Sequence, residues 1–534
     1  MKSRRSDFQD VSRAALFVNE ALGEVPAAER LAALRDQPIL IALGPAAATT
    51  RRGQLMLAVA ANIVGRLFDF APVIDVDAGA ARVLRGIPGL RPGRGLSAEL
   101  VAFLESLTPT PGRYRYRAGA QGQSYAVALL IGDAPPSVEA CETIWIDGYA
   151  WTARVGSASR ALGASPGGIF NPFGPMIAAA LGAAEIAKSV FRRLSGPART
   201  GSFAPLDGTV TWDLWGHGFD TEGTGPWLPA ALDLGGVALA GLGALGSAAT
   251  MALTQVQGAR GNVELVDDDR LSPSNLERML TARAADIGRE KVRVAASAFR
   301  GTRLRPIPMA TRFDVTALGG SQAEAILVGV DSGAARRQIM NLLPYAIYNG
   351  GTQASEFIVS RHVGLEGPCL ECLYPESDGR VGRVARQLGV DRTTAAALVS
   401  GKRRIDAGIL DALERRGGVH FAAVDPGSLL DQPLAALEAY TCSRAVVVED
   451  LPEATISFVS ALCGFLMAME FVKDRVRGAR SDPLEPARPV LRLDLLASIP
   501  GPWCVEAYVP RRDCFCQHAE TRERFAARWG GTTR

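Results

Sequence analysis

The sequence has little of what marks secreted, nucleic-acid-binding or membrane-inserted proteins. Its 534 residues carry eight cysteines and a formal net charge of only +3. So few cysteines exclude a disulfide scaffold, and the small charge gives no sign of a nucleic-acid or anionic membrane partner. The basic start, MKSRRSDFQD, has no apolar run behind it, which argues against a signal peptide. We therefore expect a soluble, cytoplasmic protein with neither nucleic-acid nor membrane partners.

Two long apolar stretches are also unlike membrane spans. Residues 176–191 contain Glu185 and Lys188, and residues 231–257 contain Asp233 and many glycines. Charges and glycines at this density favour a buried helix in the first stretch and a strand–turn–helix unit in the second. With 48% hydrophobic residues, the chain is long enough to bury two ordinary cores.

Residues 235–269 have the order strand, glycine-rich turn, helix, strand and acidic strand end. The strands are Val237–Ala240 and Val263–Val266. Glycines in such a turn let backbone N–H groups approach a phosphate at the helix N-terminus, and an acid after the second strand can bind ribose hydroxyls. The glycines and acids concerned are Gly241, Gly243, Gly246, Asp267 and Asp269.

The first half of the chain repeats this plan without the glycines. A strand at Ile39 and an acid at Asp133 precede Val237 and Asp331 by the same 198 residues. The later pair of Glu185 and Lys188 matches Glu470 and Lys473 at an offset of 285, so the second half contains 87 extra residues. These offsets predict an α/β fold of two tandem Rossmann-like units that pack as an intrachain pseudo-dimer, the second with an insertion.

Four motifs follow the glycine turn in order. They are the acid-rich strand end, Asn275-Leu-Glu-Arg278, Gly288-Arg-Glu-Lys291-Val and, after another strand, Asp331. In order and spacing they resemble the ubiquitin-activating enzymes and their bacterial relatives, the thiamine and molybdopterin adenylyltransferases of the ThiF, MoeB and HesA type. This is far more specific than the glycine turn, which many nucleotide-binding proteins share.

The resemblance implies a role for each motif in the activation of a carboxylate by ATP. Asp267 would hold the ribose, and Asn275, Arg278 and Lys291 would face the triphosphate. Positive charge there would stabilise the pyrophosphate that leaves. Asp331 would hold Mg²⁺, a cation that prefers carboxylate and phosphate oxygens.

Gly241, Gly243, Gly246 and Asp269 complete the expected nucleotide site. Relatives also take an arginine from the neighbouring half, and Arg13 is the candidate here. Taken singly, the acids could cap a strand and the basic residues could be solvated helix charges. Their occurrence together, in family order, favours the site.

The cysteines include two close pairs, Cys369-x-x-Cys372 and Cys514-x-Cys516. The resemblance implies that these two places are joined by a structural Zn²⁺ held by four thiolates. Relatives carry two Cys-x-x-Cys pairs, so the Cys-x-Cys spacing leaves the ligand set open, with Cys504 or His518 as replacements. The alternative is four reduced thiols that bind no metal.

Cys442 lies shortly before a predicted helix that begins at about residue 455. In the resembling family, the cysteine at this place takes the activated carboxylate as a thioester, and Arg444 would favour its thiolate electrostatically. The alternative is an idle thiol.

These patterns divide the chain into an inactive adenylation-like domain (1–200), a linker (201–230) and an active adenylation domain (231–534). A helical insertion over 376–440 would bring Cys442 near the adenylate. The expected reaction is adenylation of the C-terminal carboxylate of a ubiquitin-like modifier protein, followed by a thioester on Cys442.

The resemblance further suggests a conjugating enzyme as a partner and a prokaryotic ubiquitin-like conjugation pathway, with antiviral defence as its setting. Two rivals remain: an adenylyltransferase for sulfur transfer or peptide modification that forms no thioester, and a non-catalytic ATP-binding scaffold. Homodimerisation stays open, because the built-in pseudo-dimer removes its usual need without forbidding it.

Overall fold

The computed structural model describes most of the chain, with gaps. The described residues are 17–18, 28–122, 124–133, 138–157, 169–195, 203, 205–221, 223, 225–313, 323–331, 333–353, 355–365, 367–374, 381, 384–385, 388–416, 419–420, 425–434, 436–437, 447–448, 456–479, 490–496, 504–506, 509–512 and 514–530. The chain forms two compact units, residues 1–370 with 454–534 and residues 371–453.

The first unit contains two eight-stranded sheets. The strands of the first sheet are β1 (Ile39–Leu43), β2 (Val73–Asp77), β3 (Arg115–Ala118), β4 (Val127–Ile131), β5 (Thr143–Tyr149), β6 (Thr152–Gly156), β7 (Thr209–Asp213) and β8 (Gly218–Phe219). The remaining strands are β9 (Leu232–Ala240), β10 (Ala259–Val266), β11 (Arg303–Met309), β12 (Ala325–Val328), β13 (Ala346–Gln353), β14 (Glu356–Val363), β15 (Val419–His420), β16 (Val447–Val448), β17 (Val490–Asp494) and β18 (Cys504–Glu506).

The two sheets have the same topology. The first has the order β3-β2-β1-β4-β5-β6-β7-β8, and the second β11-β10-β9-β12-β13-β14-β17-β18. In each, the first five strands are parallel and the last three are antiparallel. β1 is apolar and completely buried, as expected for a central strand covered on both faces. The predicted tandem repeat is confirmed.

Among the described residues, the α-helices named here are α1 (Ala28–Ala33), α2 (Pro45–Ala48), α3 (Arg51–Val64), α4 (Leu96–Leu107), α5 (Phe173–Leu194), α6 (Ala244–Gln255), α7 (Lys291–Ala298), α8 (Gly333–Asn341), α9 (Leu370–Leu373), α10 (Arg392–Val399), α11 (Ala407–Arg416), α12 (Ser457–Ala479) and α13 (Ala519–Trp529). Thr50 begins α3 by accepting a hydrogen bond from the Gly53 N–H at 3.1 Å. Helix α12 packs against α6 of its own half and against α3 and α5 of the first half.

Helix α5 is long and apolar enough to cross a membrane by length and composition, but its most apolar window is entirely buried in the protein. It carries Glu185 and Lys188, whose side chains form an ion pair at 2.7 Å. Helix α12 carries the matching pair, Glu470 and Lys473, at 2.8 Å. These are core helices at equivalent places in the two halves.

Residues 201–230 differ from the predicted linker. Residues Thr209–Asp213 and Gly218–Phe219 are strands at the edge of the first sheet, and Val210 and Trp212 are buried there. Alternate burial of apolar side chains is a strand pattern, and it extends the first half beyond residue 200.

The second unit, residues 371–453, contains helices α10 and α11, and the short antiparallel pair β15–β16. Asp391 caps α10 by accepting hydrogen bonds from two backbone N–H groups at 2.9 Å. Both helices lie within the predicted insertion 376–440. A small apolar core consists of Val384, Leu388, Ala395, Leu398, Ile405, Ile409, Leu410, Leu429, Leu434 and Leu437.

Candidate functional site

The turn between β9 and α6 requires glycine at two positions. Gly241 has a φ of +82°, which L side chains rarely adopt. A Cβ on Gly246 would lie 2.1 Å from the Gly241 carbonyl oxygen, so no side chain fits there. At Gly243, the residue that begins α6, an added Cβ would meet nothing within 4 Å. The turn is therefore tight inside and open at the helix N-terminus, where an anion would bind.

Asp267 connects the end of β10 to this turn. Its Oδ2 accepts a hydrogen bond from the Leu242 N–H at 2.6 Å, and its Oδ1 accepts one from the Asp269 N–H at 2.9 Å. Burial raises the pKa of Asp267, while Lys291 and the two backbone N–H groups act in the opposite direction. The carboxylate is thus fixed beside the glycine turn.

Lys291 is the first residue of α7, and it reaches both acids. Its Nζ lies 2.6 Å from Asp269 Oδ2 and 3.8 Å from Asp267 Oδ1. The lysine side chain is 10% exposed, whereas that of Asp269 is 66% exposed. The structure therefore brings three of the predicted residues together at the carboxyl edge of the second sheet.

The segment after these acids carries Asn275 and Arg278. Asn275 ends a short 3₁₀ helix, and its Oδ1 accepts a hydrogen bond from the Ser272 N–H at 3.1 Å. Arg278 donates from Nη1 to the Ser274 carbonyl oxygen at 3.2 Å and is half-buried. In this structure both side chains help to shape their own segment.

Arg66, two residues beyond the end of α3 in the first half, holds this segment in place, although the sequence motifs do not predict it as a site residue. It is fully buried, and its guanidinium donates to the carbonyl oxygens of Leu276, Leu280 and Ala282. Asn62 accepts from Arg66 Nε at 2.9 Å and donates to the Leu280 carbonyl oxygen at 3.0 Å. The first half thereby fixes the backbone that follows Asn275.

Burial, together with the nearby positive charge of Arg283, lowers the pKa of Arg66 to about 9. The one signal in the sequence is the pair of polar residues Asn62 and Arg66, four positions apart at and just beyond the end of α3, after the apolar residues 55–61. Such a pair indicates a buried polar contact. It does not reveal that the acceptors lie more than 200 residues away.

Asp331 lies just beyond β12, the strand next to β9. The preceding Val330 is close to the turn, since its Cγ1 would lie 3.2 Å from a Cβ on Gly241. Asp331 itself is exposed. The predicted Mg²⁺ ligand is therefore at the same sheet edge as the glycine turn.

Asp267, Asp268 and Asp269 also have carboxylate oxygens within 4.8 Å of one another. Asp268 pairs with Arg312 at 2.9 Å, so two basic side chains already balance this acidic strand end. Arg13 and Cys442 lie outside the described residues.

Four cysteines converge where α9 meets the segment before α13. The sulfur atoms of Cys369, Cys372, Cys514 and Cys516 lie within 4.8 Å of one another, and all four residues are buried. The sulfurs of Cys369 and Cys514 are 3.5 Å apart. A tetrahedral site with Zn–S bonds of about 2.3 Å has sulfurs about 3.8 Å apart. The arrangement of the four thiols therefore fits Zn²⁺, and both cysteines of the Cys-x-Cys pair belong to the cluster.

The ThiF family model matches residues 230–495. The sequence is 27% identical over 480 residues to the uncharacterized protein y4jF of Sinorhizobium fredii, covering 87% of this chain and 86% of that one. Solved structures of E. coli MccB are similar at 15% identity. The crystal with ATP has a TM-score of 0.33 and covers 54% of this chain and 67% of that one.

The MccB crystal with succinimide has a TM-score of 0.31, with coverage of 52% and 62%. This chain thus spans just under two thirds of that MccB chain. The glycine turn, Asp267, Asn275, Arg278, Lys291, Asp331 and the first cysteine pair all lie within the matched range. Residues 230–495 of this chain thus match the ThiF family.

Proposed function

We propose that this chain uses ATP to adenylate the C-terminal carboxylate of a small, ubiquitin-like partner protein. The match to the ThiF family supports the coarser statement, adenylation of a substrate carboxylate. The observation that carries the proposal is the geometry of Asp267. It is hydrogen-bonded to the turn amide of Leu242 and lies 3.8 Å from Lys291. This geometry supports Asp267 as the ribose acceptor and Lys291 as the phosphate-binding cation, since both lie beside the start of α6.

Lys291 has a partner that it can exchange for phosphate. Asp269 is largely exposed, so its carboxylate returns to water at little cost when the lysine turns to the nucleotide. Asp267 remains fixed by its two amide hydrogen bonds. Lys291 and Arg278 would then stabilise the charge on the leaving pyrophosphate as the carboxylate attacks the α-phosphorus. Positioning and charge carry this step, and no protein nucleophile is needed.

Two metal ions complete the proposal. Asp331, exposed at the sheet edge, would hold Mg²⁺ with the phosphates. The four buried cysteines would hold a structural Zn²⁺, which joins residues 369–372 to residues 514–516. Zn²⁺ at such a closed site supplies folding free energy and has no part in the reaction.

The later steps rest on the resemblance alone. A thioester would form when the Cys442 thiolate attacks the acyl-adenylate and AMP leaves. A conjugating enzyme would then receive the activated modifier. The nearest rival stops at the adenylate and serves sulfur transfer or peptide modification, and the more distant one is an ATP-binding scaffold.

The test is ATP–pyrophosphate exchange with candidate small proteins that end in glycine. We compare the wild type with Asp331→Ala and Cys442→Ala, and use Asp133→Asn, the equivalent position in the first half, as the matched control. Exchange should vanish in Asp331→Ala and survive in Cys442→Ala and in the control.

A gel of enzyme, modifier and ATP, with and without reductant, separates the thioester from the adenylate-only rival. A reductant-sensitive band that Cys442→Ala lacks supports the thioester. Exchange without such a band supports the rival. Nucleotide binding without any pyrophosphate exchange would favour the non-catalytic ATP-binding scaffold.

A further inference from the structure

A large cavity lies between the two halves of the first unit. Its volume is about 980 Å³, and it is lined on one side by the start of α3 and the loop Gly86–Leu90. The other side is lined by the end of α6 and by residues between 280 and 289 and between 297 and 303. The start of α3 and the loop follow β1 and β2 at the carboxyl edge of the first sheet, whereas the end of α6 and residues 300–303 precede β10 and β11 at the amino edge of the second. The lining includes neither the glycine turn nor Asp267, Asp269 or Lys291, so the cavity differs from the candidate nucleotide site.

Positive charge dominates the lining of this cavity. Its ionisable side chains are those of Arg51, Arg283, Arg289, Arg300, Arg303 and Asp286. Asp286 pairs with Arg289. In the part of the chain that the structure describes, no carboxylate pairs with the other four arginines. The fully buried Arg66 lies behind them and is close enough to Arg283 for the two positive charges to repel.

Two buried polar atoms at the cavity lack partners. Arg51 Nε and Thr281 Oγ1 are shielded from solvent without a hydrogen bond among the described residues. Arg51 is otherwise well held, with its guanidinium over the Phe170 ring at 5.0 Å and Nη2 3.4 Å from Gln255 Oε1. Buried donors are nearly always satisfied in native proteins, so this N–H favours an acceptor from outside the part of the chain that the structure describes.

We propose that this cavity binds a small polyphosphate anion, independently of the adenylation proposed above. Guanidinium groups form bidentate hydrogen bonds with phosphate oxygens, and several phosphates are needed to balance the positive charge of four arginines that no described carboxylate pairs with. The volume is at the upper end of the range for small-molecule pockets, about 300–1,000 Å³. The shared chemistry is a chain of phosphates, free or attached to a nucleoside.

Because both halves line the cavity, a bound anion would also hold them together. Binding to the folded protein alone raises the free energy of unfolding, so the melting temperature should rise with ligand concentration. The effect should weaken with added salt, since the interaction is largely between charges.

The test is isothermal titration of the full chain with inorganic tripolyphosphate, with ATP and AMP as separate arms. Arg300→Gln/Arg303→Gln removes two exposed lining charges without disturbing a described contact. Arg305→Gln/Arg524→Gln removes two exposed charges outside the lining as the matched control. Lys291→Ala disables the candidate nucleotide site.

We expect tripolyphosphate to bind the wild type, the control and Lys291→Ala alike, and to bind Arg300→Gln/Arg303→Gln about tenfold more weakly. ATP that behaves like tripolyphosphate in the Lys291→Ala background identifies a nucleoside polyphosphate as an acceptable ligand. ATP that fails there while tripolyphosphate binds identifies the free phosphate chain. The proposal is overturned if tripolyphosphate does not bind, if Lys291→Ala abolishes binding, or if the lining and control variants lose equal affinity.

Discussion

The two halves of this chain share a sheet order but differ in the chemistry at the carboxyl edge of the sheet. In the second half, Asp331 is exposed beside an open glycine turn. In the first half, the equivalent Asp133 accepts hydrogen bonds from the Ala46 and Ala47 N–H groups at 3.0 and 2.9 Å. Its carboxylate thereby takes the place that a phosphate would occupy at the start of a helix. In the first half, the side chain of Asp133 accepts the hydrogen bonds of the helix N-terminus. In the second half, the space at Gly243 is open to a ligand.

The strand registers reveal a second difference. Ala42 pairs with Asp77 in the first sheet, and the equivalent Ala240 pairs with Val266 in the second. The next residue along is therefore Ala78 in the first half and Asp267 in the second. An alanine cannot accept a hydrogen bond from ribose. The comparison shows that residues at the edge of a sheet can differ in chemistry between two halves that keep the same strand order.

The largest expected effect concerns the four-cysteine cluster, which belongs to the second half alone. Purified protein should contain about one Zn²⁺ per chain. Cys514→Ser should lose that metal and lower the free energy of unfolding by several kcal/mol, or about the worth of a structural metal site. Elemental analysis and thermal unfolding measure both. Cys141→Ser, an exposed cysteine of the first half, is the control. Zinc-free wild-type protein that unfolds normally would remove this difference between the halves.

The next effect tests whether the halves depend on each other. Arg66→Ala leaves the carbonyl oxygens of Leu276, Leu280 and Ala282 without their buried donor. We expect a loss of about 3–5 kcal/mol in the free energy of unfolding, measured by urea titration. Arg305→Ala, an exposed arginine, should change it by less than about 0.5 kcal/mol. A loss for Arg66→Ala as small as this would show that the segment holds its shape alone.

A third prediction compares the carboxyl edges of the two sheets by their effect on pyrophosphate exchange. Asp267→Asn weakens the acceptor for ribose and the attraction for Lys291, so we expect pyrophosphate exchange to fall by about 10–100-fold. Asp77→Asn changes the acid at the end of β2 in the first half and should leave exchange within about twofold, since no ribose is expected there. Equal losses in both variants would mean that the halves share the chemistry.

The smallest expected effects are changes in stability, a loss for Asp133→Asn in the first half and a gain for Asp267→Asn in the second. Asp133→Asn weakens the cap on α2 and should lower the free energy of unfolding by about 1 kcal/mol.

Burial raises the pKa of Asp267, so its charged form costs stability above that pKa and the cost disappears as pH falls to the ordinary aspartate range. Asp267→Asn should therefore raise the melting temperature at neutral pH, and the gain should shrink in acid. A gain that grows in acid would contradict this assignment.

Much of the fold could be read from the sequence because local patterns repeat in order. The offset of 198 residues between Asp133 and Asp331 corresponds to matching strands, and the two Glu–Lys pairs lie on matching helices. The strands at Thr209–Asp213 and Gly218–Phe219 were assigned to a linker. They are short edge strands among polar and glycine residues, where the local signal is weak and partner strands decide the structure.

The candidate site was predictable in composition but not in its internal contacts. Motif order predicts Asp267, Asn275 and Lys291 as site residues, and these roles stay predictions; it does not show that Lys291 pairs with Asp269. Arg66 escaped prediction because its role depends on tertiary packing, which places a helix end against carbonyl groups far along the chain. Cys442 and Arg13 stay predictions.

The Asp133 cap also bears on stoichiometry. A symmetric pair of adenylation units would offer two equivalent nucleotide sites, and binding at one could raise or lower affinity at the other. Here the carboxylate of Asp133 already occupies the start of α2 in the first half. Because it is part of the same chain, its effective concentration is one that a free nucleotide phosphate cannot match. Adenylation by this chain should therefore follow a simple hyperbolic dependence on ATP, with one adenylate formed per chain.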